Sequence, residues 1–308
     1  MEPPTFALSS GHHPPHHRPV LCETVVELLA PQSGRVFVDC TLGLGGHALS
    51  LLPRLTPGRL IGLDADPHAL DVARARLVEF APHVHFVHAN FRELPQVLSS
   101  LGVERVQGVL ADLGMSSFQV EAPERGFSFL REGPLDMRMD PTQPMTAAEI
   151  VARWPERDLA DLLANCGEER WARRIARRIA ETRRRAPIRT TTDLAQLIAE
   201  TVPGGGRGMR IHPATRTFQA LRMAVNDEAS SLDELLRVLP DVLAPGGRAA
   251  IITFHSLEDR AVKRAFQQGR RDGQYHLLTR KPMRPSEQEL AENPRSRSAK
   301  VRAVERLA

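Results

Sequence analysis

The sequence has few cysteines, few lysines and no long apolar stretch. Its three cysteines, Cys22, Cys40 and Cys166, are far apart and odd in number, which argues against a disulfide framework or a zinc knuckle and predicts a reducing, cytoplasmic compartment. No apolar run approaches the roughly 18 residues of a membrane span, so no membrane partner is expected. The N-terminal stretch MEPPTFALSSGHHPPHH lacks the cationic start and apolar core of a secretory signal. Residues 1–16 are predicted to be a disordered tail. His12, His13, His16 and His17 could bind a metal, but a proline-broken tail is more often solvated, and no metal site is expected.

The basic charge comes almost entirely from arginine, and it is clustered. Of 41 basic residues only three are lysine, while the net charge is only +4. Arg170–Arg189 contains nine arginines against one acid, and the chain from Arg260 onward has thirteen basic residues against five acids. Because arginine binds phosphate bidentately and stacks on bases, these clusters favour a polyanionic partner. The alternative is that an arginine-rich chain places its charge on solvated faces.

The first part of the chain alternates predicted strands and helices. Short apolar runs predict four strands, and the stretches between them predict three helices. The strands are Arg35–Cys40, Arg59–Asp64, His83–His88 and Arg105–Asp112, and the helices are Gly46–Leu52, Pro67–Phe80 and Phe91–Ser100. This order is typical of a doubly wound parallel sheet, an α/β fold in which ligands bind outside the carboxyl ends of the strands.

The alternation stops after the fourth predicted strand. Leu113–Asp140 has little periodicity, and irregular segments of this length are usually functional. The chain from Thr146 to Val202 then carries only helical signals. They are a capping box at Thr146–Glu149, an amphipathic helix at Glu168–Arg185 with an arginine-rich outer face, and a last helix, Asp193–Val202, that Thr192 could cap.

Sheet signals return toward the C-terminus. They predict helix Leu232–Leu243, strand Arg248–Phe254, helix Glu258–Gln268 and short strands near Tyr275–Thr279 and Ala299–Arg306. The simplest arrangement is one Rossmann-like α/β domain, residues 17–141 and 213–308, that carries an inserted all-helical domain, residues 142–212, after its fourth strand.

A glycine-rich turn follows the first predicted strand, in the stretch VDCTLGLGGHA. Gly43–Ala48 fits G-x-G-x-x-G/A, the dinucleotide fingerprint. Asp39 would repel a pyrophosphate but attract an ammonium group, so a cofactor with an amino-acid arm, such as S-adenosylmethionine, fits better. Asp64 ends the second strand and is placed to accept ribose hydroxyls, although nicotinamide sites carry an acid there too. A nicotinamide oxidoreductase is therefore the alternative that Asp39 argues against.

Two further residues stand at strand ends. The ring of Phe91, after the third strand, could pack on an adenine, or it could be a core residue that opens the next helix. Asp112 ends the fourth strand, which lies beside the first in the usual order, so it is expected to face the reactive centre. The alternative for Asp112 is a cap of the following turn. The segment GMSSFQ after it supplies hydroxyls and an amide, which favours a functional role.

The chain carries eleven characteristic blocks, in order, between residues 17 and 300: HRPVL, DCTLGLGGH, GLDADP, NFREL, ADLGMSSFQ, ERGFSF, GPLDMRMD, HPATRTFQALR, VNDE, FHSLEDR and NPRSRSAK. Together they resemble the bacterial family of ribosomal RNA small subunit methyltransferase H. The resemblance implies a class I methyltransferase domain with an inserted helical domain. It also implies methyl transfer from S-adenosylmethionine to the exocyclic amine of a cytidine in the decoding region of small-subunit rRNA. The expected partners are that rRNA or the assembled subunit, with a homodimer as one option.

The same resemblance implies a set of cofactor-binding residues. The residues lining the methionine side are Gly45, Gly46 and His47. Asp64 holds the ribose. The other contacts come from Phe91, Asp112 and Gln119. Phe118 stands where the family usually has proline, directly before Gln119.

The implied reaction needs help from the protein, because the lone pair of a cytosine amine is delocalised into the ring. The Asp/Asn-Pro-Pro-aromatic turn of many amino methyltransferases is absent, and the segment from Asp112 to Ser117 takes its place. Asp112 or nearby backbone carbonyls are expected to orient the amine, with most of the acceleration coming from proximity. His255 is a second catalytic candidate, or a buried structural histidine. Non-catalytic RNA binding, and methylation of DNA or protein, are the other functional alternatives.

Overall fold

The structure is a computed structural model, and it describes residues 19–209 and 211–308. The predicted tail, residues 1–16, lies outside the described residues. A seven-stranded sheet forms the centre of the described chain. Its strands are β1 (Val36–Asp39), β2 (Arg59–Asp64), β3 (Val84–His88), β4 (Val106–Asp112), β5 (Leu243–Thr253), β6 (Tyr275–Leu277) and β7 (Lys300–Arg306).

The strands lie in the order β3-β2-β1-β4-β5-β7-β6. Strands β1 to β5 pair in parallel, and β7 runs antiparallel to both β5 and β6. The order reverses between β1 and β4, and doubly wound sheets bind their ligands at such a switch point. The predicted Rossmann-like, doubly wound α/β sheet with an inserted helical region is thereby confirmed.

Helices cover the sheet and form the insertion. The described residues contain α1 (Cys22–Leu29), α2 (Gly46–Leu55), α3 (Pro67–Arg76), α4 (Leu94–Ser100), α5 (Ser117–Glu121), α6 (Ala147–Arg153), α7 (Glu156–Asn165), α8 (Ala172–Arg183), α9 (Thr191–Thr201), α10 (Thr215–Val225), α11 (Glu228–Val242), α12 (Ser256–Arg271) and α13 (Glu287–Glu292). No helix in this part of the chain is both long enough and apolar enough to cross a membrane.

The two faces of the sheet bury separate hydrophobic cores, because successive strand residues point to opposite faces. On one face Val109 and Ile251 pack in a cluster with Leu235 of α11 and Phe266 of α12. On the other face their neighbours Leu110 and Ile252 join a cluster with residues of α1, α2 and α3. The buried sheet therefore holds the carboxyl ends of β1, β2 and β4 in fixed positions.

The helices α6 to α10 surround a third hydrophobic core. It includes Ile150 of α6, Leu163 of α7, Ile175 of α8 and Ile198 of α9, each fully buried. The same cluster extends from Phe127 to Val225, so the irregular segment before α6 and the whole of α10 contribute to it. The insertion therefore has a core of its own rather than only a surface packed on the sheet.

Two helix starts in the insertion differ from the sequence prediction. The helix predicted from Glu168 begins at Ala172, because Glu168 has a φ of 47°, outside the range of a right-handed helix. Helix α9 is capped by Thr190 rather than by Thr192. Thr190 and Asp193 form a reciprocal capping box, which satisfies a backbone donor at each of two positions.

Three other segments also differ from prediction. The helix predicted to reach Phe80 ends at Arg76 and continues as a 3-10 segment, Val78–His83, that contains Pro82. The segment predicted to be irregular, Leu113–Asp140, contains the short helix α5. Helix α1 was not predicted at all, because its eight residues carry no N-cap side chain to mark its start.

Candidate functional site

The ends of four strands bring polar residues to one edge of the sheet. Asp39, Asp64 and Asp112 are the last residues of β1, β2 and β4, and His255 follows β5. A cleft of about 910 Å³ opens at this edge. Its lining includes all the residues predicted for the site except Gly45 and Asp39, namely Gly46, His47, Asp64, Phe91, Asp112, Gln119 and His255. The structure thus gathers residues that are up to 209 positions apart in the chain, the separation of Gly46 and His255.

Asp64 holds the glycine turn against the end of β2. Its Oδ2 accepts a hydrogen bond from the N–H of Gly43 at 2.7 Å, and its Oδ1 accepts one from Asp66 at 2.8 Å. Burial raises the pKa of Asp64 to about 6, although the two backbone donors oppose the increase. Since a carboxylate oxygen has two lone pairs, Asp64 keeps acceptor capacity for a ligand.

The turn requires glycine at two positions for different reasons. Gly45 has a φ of 77°, and a Cβ there would lie 3.1 Å from the side chain of Leu77. A Cβ on Gly46 would lie 3.2 Å from Pro19, which itself lines the cleft. Gly45 therefore supports the turn from behind, while Gly46 borders the cleft.

His47 lies between the ends of β1 and β4. Its side chain is only 6% exposed, and Nε2 lies 3.5 Å from Oδ2 of Asp112. Asp39 is 1% exposed, and its charge acts on the same imidazole. The backbone N–H of Asp112 donates to the hydroxyl of Thr41 at 2.6 Å, which fixes the end of β4 beside the turn.

The charges of His47, Asp39 and Asp112 do not balance. Burial alone would lower the pKa of His47, but Asp112, Cys22 and Asp39 together raise it to about 10. Burial raises the pKa of Asp39 to about 7 despite the nearby His47. Oδ2 of Asp39 and Oδ1 of Asp112 are buried, and neither has a hydrogen-bond partner among the described residues. A further cation beside Asp39 and Asp112 would favour the ionised form of both carboxyl groups, so the cluster is suited to receive one.

Phe91 follows β3, the strand at the edge of the sheet, whereas the acids next to His47 lie at the ends of β1 and β4. Asn90 and Glu93 form a capping box that fixes the turn after β3. The half-buried ring of Phe91 lines the cleft and also packs against the core of the sheet. This position is compatible with both interpretations of Phe91, as a platform for an adenine and as a core residue.

Gln119 is 4% exposed and uses its amide within the protein. Nε2 donates to Oδ2 of Asp66 at 2.9 Å, and Oε1 accepts from the N–H of Ser116 at 3.0 Å. Asp66 is fully buried and also pairs with Arg125 at 2.9 Å. Gln119 therefore ties α5 to the start of α3, and one amide hydrogen and one lone pair remain for a ligand.

His255 is the N-cap of α12. Its Nδ1 accepts from the N–H of Glu258 at 3.4 Å, while Oε2 of Glu258 accepts from the N–H of His255 at 3.2 Å. Nε2 of His255 lies 3.1 Å from Oε1 of Glu258, whose pKa is lowered because His255 and Arg222 outweigh the effect of burial. These contacts give His255 a structural position at the wall of the cleft.

The residues next to His255 also form a group with metal-ligand chemistry. Ligand atoms of Glu228, His255 and Glu258 lie within 4.8 Å of one another, the one such group in the described ranges. The guanidinium of Arg222 donates to both oxygens of Glu228 at 2.8 Å each. Because Arg222 already supplies the positive charge here, the group is an ion-pair network, and a metal ion would have to displace Arg222.

Sequence analysis did not identify several residues that shape the cleft. Asp66 and Arg125 form the buried pair described above, and the proline after Asp66 was the available signal for an N-cap. Asn226 lines the cleft and joins it to the irregular segment, donating to the carbonyl of Met137 at 2.8 Å and accepting from the N–H of Met139 at 2.7 Å. No local pattern could have shown that Asn226 meets a segment almost ninety positions earlier.

The sheet and the cleft together define a class of protein. A parallel sheet with one antiparallel strand between β5 and β6, a glycine turn after β1 and an acid at the end of β2 are the features of a class I, S-adenosylmethionine-dependent methyltransferase. The residues present fit this cofactor. The acids at the ends of β1 and β4 suit a nearby positive charge, and Gly43, Leu44 and Gly46 of the glycine turn line the cleft.

The chain belongs to the MraW methylase family, whose sequence profile matches residues 15–307. It is 51% identical over 292 residues to a ribosomal RNA small subunit methyltransferase H from Synechococcus elongatus, an alignment that covers 95% of each chain. A protein of the same name from Syntrophobacter fumaroxidans is 48% identical over 306 residues, with 94% of this chain and 96% of the relative covered.

Solved structures have a much lower sequence identity to this chain. An rRNA methylase from Streptococcus thermophilus matches 93% of this chain and 94% of its own, with a TM-score of 0.44 and 11% identity.

Proposed function

We propose that this chain transfers a methyl group from S-adenosylmethionine to N4, the exocyclic amine, of a cytidine in the decoding region of small-subunit rRNA. The observation that carries the proposal is the 51% identity, over 95% of the chain, to a protein named ribosomal RNA small subunit methyltransferase H. The acidic cleft at the carboxyl ends of β1, β2 and β4 supports it, because a sulfonium cofactor with an amino-acid arm suits this charge distribution.

The proposed cofactor site uses the residues of the cleft in three groups. The methionine end is held by the turn and the acids beside His47, the ribose by Asp64, and the adenine by Phe91, with Gln119 as a further contact. Bound S-adenosylmethionine supplies an electrophilic methyl group. The residues assigned to binding are Gly46, His47, Asp64, Phe91, Asp112 and Gln119, with Gly45 acting through the shape of the turn behind them.

Asp112 is the proposed residue that orients the target amine. Its Oδ2 faces His47, whereas its buried Oδ1 has no partner among the described residues. An N–H of the cytidine amine that donates to Oδ1 would place the nitrogen for in-line attack. When the N–C bond forms and the bond from the methyl carbon to sulfur breaks, with its electron pair left on sulfur, the nitrogen would gain positive charge, which the carboxylate would stabilise. The carboxylate is also an acceptor for the proton that the nitrogen then releases.

His255 is the second proposed candidate for a direct role. Its capping of α12 and its contact with Glu258 favour a positioning role over proton transfer, because both ring nitrogens already face Glu258. Its place in the lining of the cleft keeps it within the set of residues to be tested.

The arginine-rich face of α8 is the proposed RNA-binding surface of the insert, residues 142–212. Arg173, Arg174, Arg177 and Arg178 are exposed, while Ile175 and Ile179 on the other face are buried. Arg184, Arg185 and Arg189 continue the exposed charge. Only Arg177 has an ion-pair partner among the described residues, Glu156 at 3.7 Å. Unpaired arginines on one face are free to bind phosphates.

Arg183 is different from its neighbours. It is half-buried and donates to the backbone carbonyls of Val151 and Trp154 at 2.7 Å each. It therefore caps α6 from α8 and is not counted in the proposed RNA surface.

Three finer points belong to the same proposal. The substrate is the rRNA itself or the assembled small subunit, which places the activity in the cytoplasm. A homodimer stays a prediction, and light scattering tests it: a dimer has twice the 34.2 kDa of one chain.

The experiment is methylation of small subunits, and of their purified rRNA, from cells that lack the modification. Labelled S-adenosylmethionine is supplied, the RNA is digested, and the nucleosides are identified by mass spectrometry. We expect N4-methylcytidine from the intact chain and none from Asp64→Ala. Label in another nucleoside, in DNA or in protein would overturn the proposal.

A further inference from the structure

Residues 137–140, called here the wall segment, form one side of the cleft through Met139. The side chain of Met139 is half-buried, lines the cleft and packs against the hydrophobic core of the insertion. Met137 has a φ of 63°, a left-handed conformation that few residues other than glycine adopt, and its side chain is 1% exposed. Such a backbone persists only where its surroundings hold it firmly, so the contacts of the wall segment show what fixes it.

Arg125 ties the wall segment to the end of β2. Its Nη1 lies 2.9 Å from Oδ2 of the fully buried Asp66, while Nη2 donates to the carbonyls of Arg138 and Met139 at 3.0 and 2.9 Å. The backbone N–H of Asp66 in turn donates to Asp64, the proposed ribose acceptor, at 2.8 Å. One guanidinium, whose side chain is only 13% exposed, therefore fixes the wall segment relative to the ribose side of the cleft.

The last residue of the wall segment reaches the end of β3. Oδ2 of Asp140 lies 3.7 Å from Nε2 of His88, the last residue of that strand. The same nitrogen lies 3.0 Å from the carbonyl of Ala65, which follows Asp64 and lines the cleft. The wall segment therefore crosses the cleft at the ends of β2 and β3 and not at the acids of β1 and β4.

The other side of the wall segment is joined to the turn that carries Phe91. Asn226 is 5% exposed and accepts a hydrogen bond from the N–H of Met139 at 2.7 Å. The next residue, Asp227, pairs at 2.9 Å with Arg92, which directly follows Phe91 in the chain. Met139 and Phe91 thus line the same part of the cleft and are held by neighbouring residues at the start of α11.

We propose that the wall segment is the second side of the adenosine site, with Met139 in contact with the base and Arg125 as the residue that positions Met139. The inference rests on the proposed function, because it requires that the cleft bind S-adenosylmethionine. A methionine suits this place, since its side chain adapts to a flat ring and its polarizable sulfur packs favourably against aromatic groups. Phe91 and Met139 together would give the base apolar neighbours from two separate parts of the chain.

Lysine cannot take the place of Arg125 in this arrangement. The planar fork of arginine reaches Asp66 with one nitrogen and two backbone carbonyls with the other, whereas the ammonium of lysine is a single point charge. The buried carboxylate of Asp66 attracts that charge away from the carbonyls. Arg125→Lys therefore keeps a cation beside Asp66 and releases the wall segment, which separates the two tasks of Arg125.

The first test compares two ligands by calorimetry: S-adenosylmethionine and 5′-methylthioadenosine, which has the adenosine but lacks the amino-acid arm. We expect Met139→Ala to raise both dissociation constants by the same factor, on the order of fivefold or more. The matched control is Met145→Ala, because Met145 is 37% exposed and lies outside the lining of the cleft, and it should bind both ligands as the intact chain does. Unchanged affinity in Met139→Ala, or a loss confined to S-adenosylmethionine, would overturn the proposal.

The second test asks whether Arg125 acts through Met139. We expect Arg125→Lys to raise both dissociation constants on the order of fivefold, and Met139→Ala to add less than about twofold in the Arg125→Lys background, because coupled residues are not additive. Melting temperatures of all variants are the control for folding. Two effects that multiply fully in the double variant would contradict the positioning role of Arg125. Failure of the intact chain to bind either ligand would instead contradict the proposed function.

Discussion

Individual side chains in the cleft have structural tasks alongside their proposed functional ones. Asp64 accepts two backbone hydrogen bonds that fix the glycine turn, and Gln119 holds Asp66. His255 caps α12. A substitution at any of these positions therefore changes the shape of the cleft as well as its chemistry, so each test needs a measurement of folding beside the activity.

Asp112 and His255 can be distinguished by conservative replacements. Asp112→Asn keeps the size and one acceptor but removes the charge, and we expect the single-turnover rate at saturating cofactor to fall by about 10²-fold or more. His255→Asn keeps a side chain that caps helices well, and we expect the rate to stay within a few-fold of the intact chain. Rapid-quench measurements on both variants, with melting temperatures as the control for folding, decide this. An undiminished rate in Asp112→Asn would remove Asp112 from the chemistry and make His255 the next residue to test.

Asp39 makes the stability of the cofactor-free protein depend on pH. Its pKa rises from 3.8 to about 7 on folding, so the folded protein holds a proton that the unfolded chain releases. The stabilisation from this proton is complete below pH 3.8 and is lost as the pH rises to about 7. We therefore expect the intact chain to lose at least about 1 kcal/mol relative to Asp39→Asn over this range.

Thermal or urea unfolding of the intact chain and of Asp39→Asn, in steps from pH 4.5 to pH 8, measures this difference in stability.

The protonation of His47 affects stability at higher pH. Its pKa is raised to about 10, so its contribution is complete below 6.5 and is lost as the pH rises through 10. Parallel stability curves below pH 7 for the intact chain and the Asp39 variant would contradict the assigned burial of this charge.

At the scale of elements, α9 shows which local signals determine a helix start. Both Thr190 and Thr192 precede apolar helical residues, and only the reciprocal bonds between Thr190 and Asp193 select the first. Thr190→Ala should cost about 1 kcal/mol of unfolding free energy, and Thr192→Ala less than about half of that. Urea unfolding of the two variants compares them directly. A larger loss in Thr192→Ala would mean that Thr192 caps the helix.

The helices of the insert also show where sequence patterns are weakest. The periodicity of α8 was visible, because Ile175 and Ile179 alternate with arginine pairs at helical spacing. Its start at Ala172 was not visible, since Glu168 leaves the helix in order to bind Ser256 and Arg260 of α12. A long-range contact thus ended a pattern that local propensity would have continued.

For the whole molecule, the distribution of arginine matters more than the net charge of +4. Replacing Arg177, Arg178, Arg184 and Arg185 by glutamine should weaken RNA binding and reduce the slope of log affinity against log salt, by up to about three for four lost contacts. Affinity for S-adenosylmethionine should not change, because none of the four lines the cleft.

The chain offers a matched control for this variant. Arg35, Arg54, Arg59 and Arg105 are also exposed, but they lie at or near the amino ends of β1, β2 and β4, the edge of the sheet opposite the cleft. Their replacement should leave the salt slope unchanged. Filter binding over a range of salt concentrations compares the two sets. Equal slopes for both variants would mean that α8 presents only a solvated face.

The sequence by itself determined the order of the strands and the residues at the strand ends. Buried parallel strands are continuous apolar runs, and a glycine turn or an acid directly after such a run is a local signal. For this reason the pattern of residues alone was enough to place Asp39, Asp64 and Asp112 at one edge of a sheet. The motif blocks along the chain added the family, which the match over residues 15–307 confirmed.

Only the tertiary structure decided how the charges at that edge are paired. His47 meets Asp112 and Gln119 meets Asp66, and neither contact follows from spacing or propensity. The physical reason is that burial and partner charges set the protonation of an acid or an imidazole, and both depend on residues brought together by the packing of distant elements. The sequence therefore located the cleft, and the packing of α1, α2 and β4 gave its residues their electrostatic character.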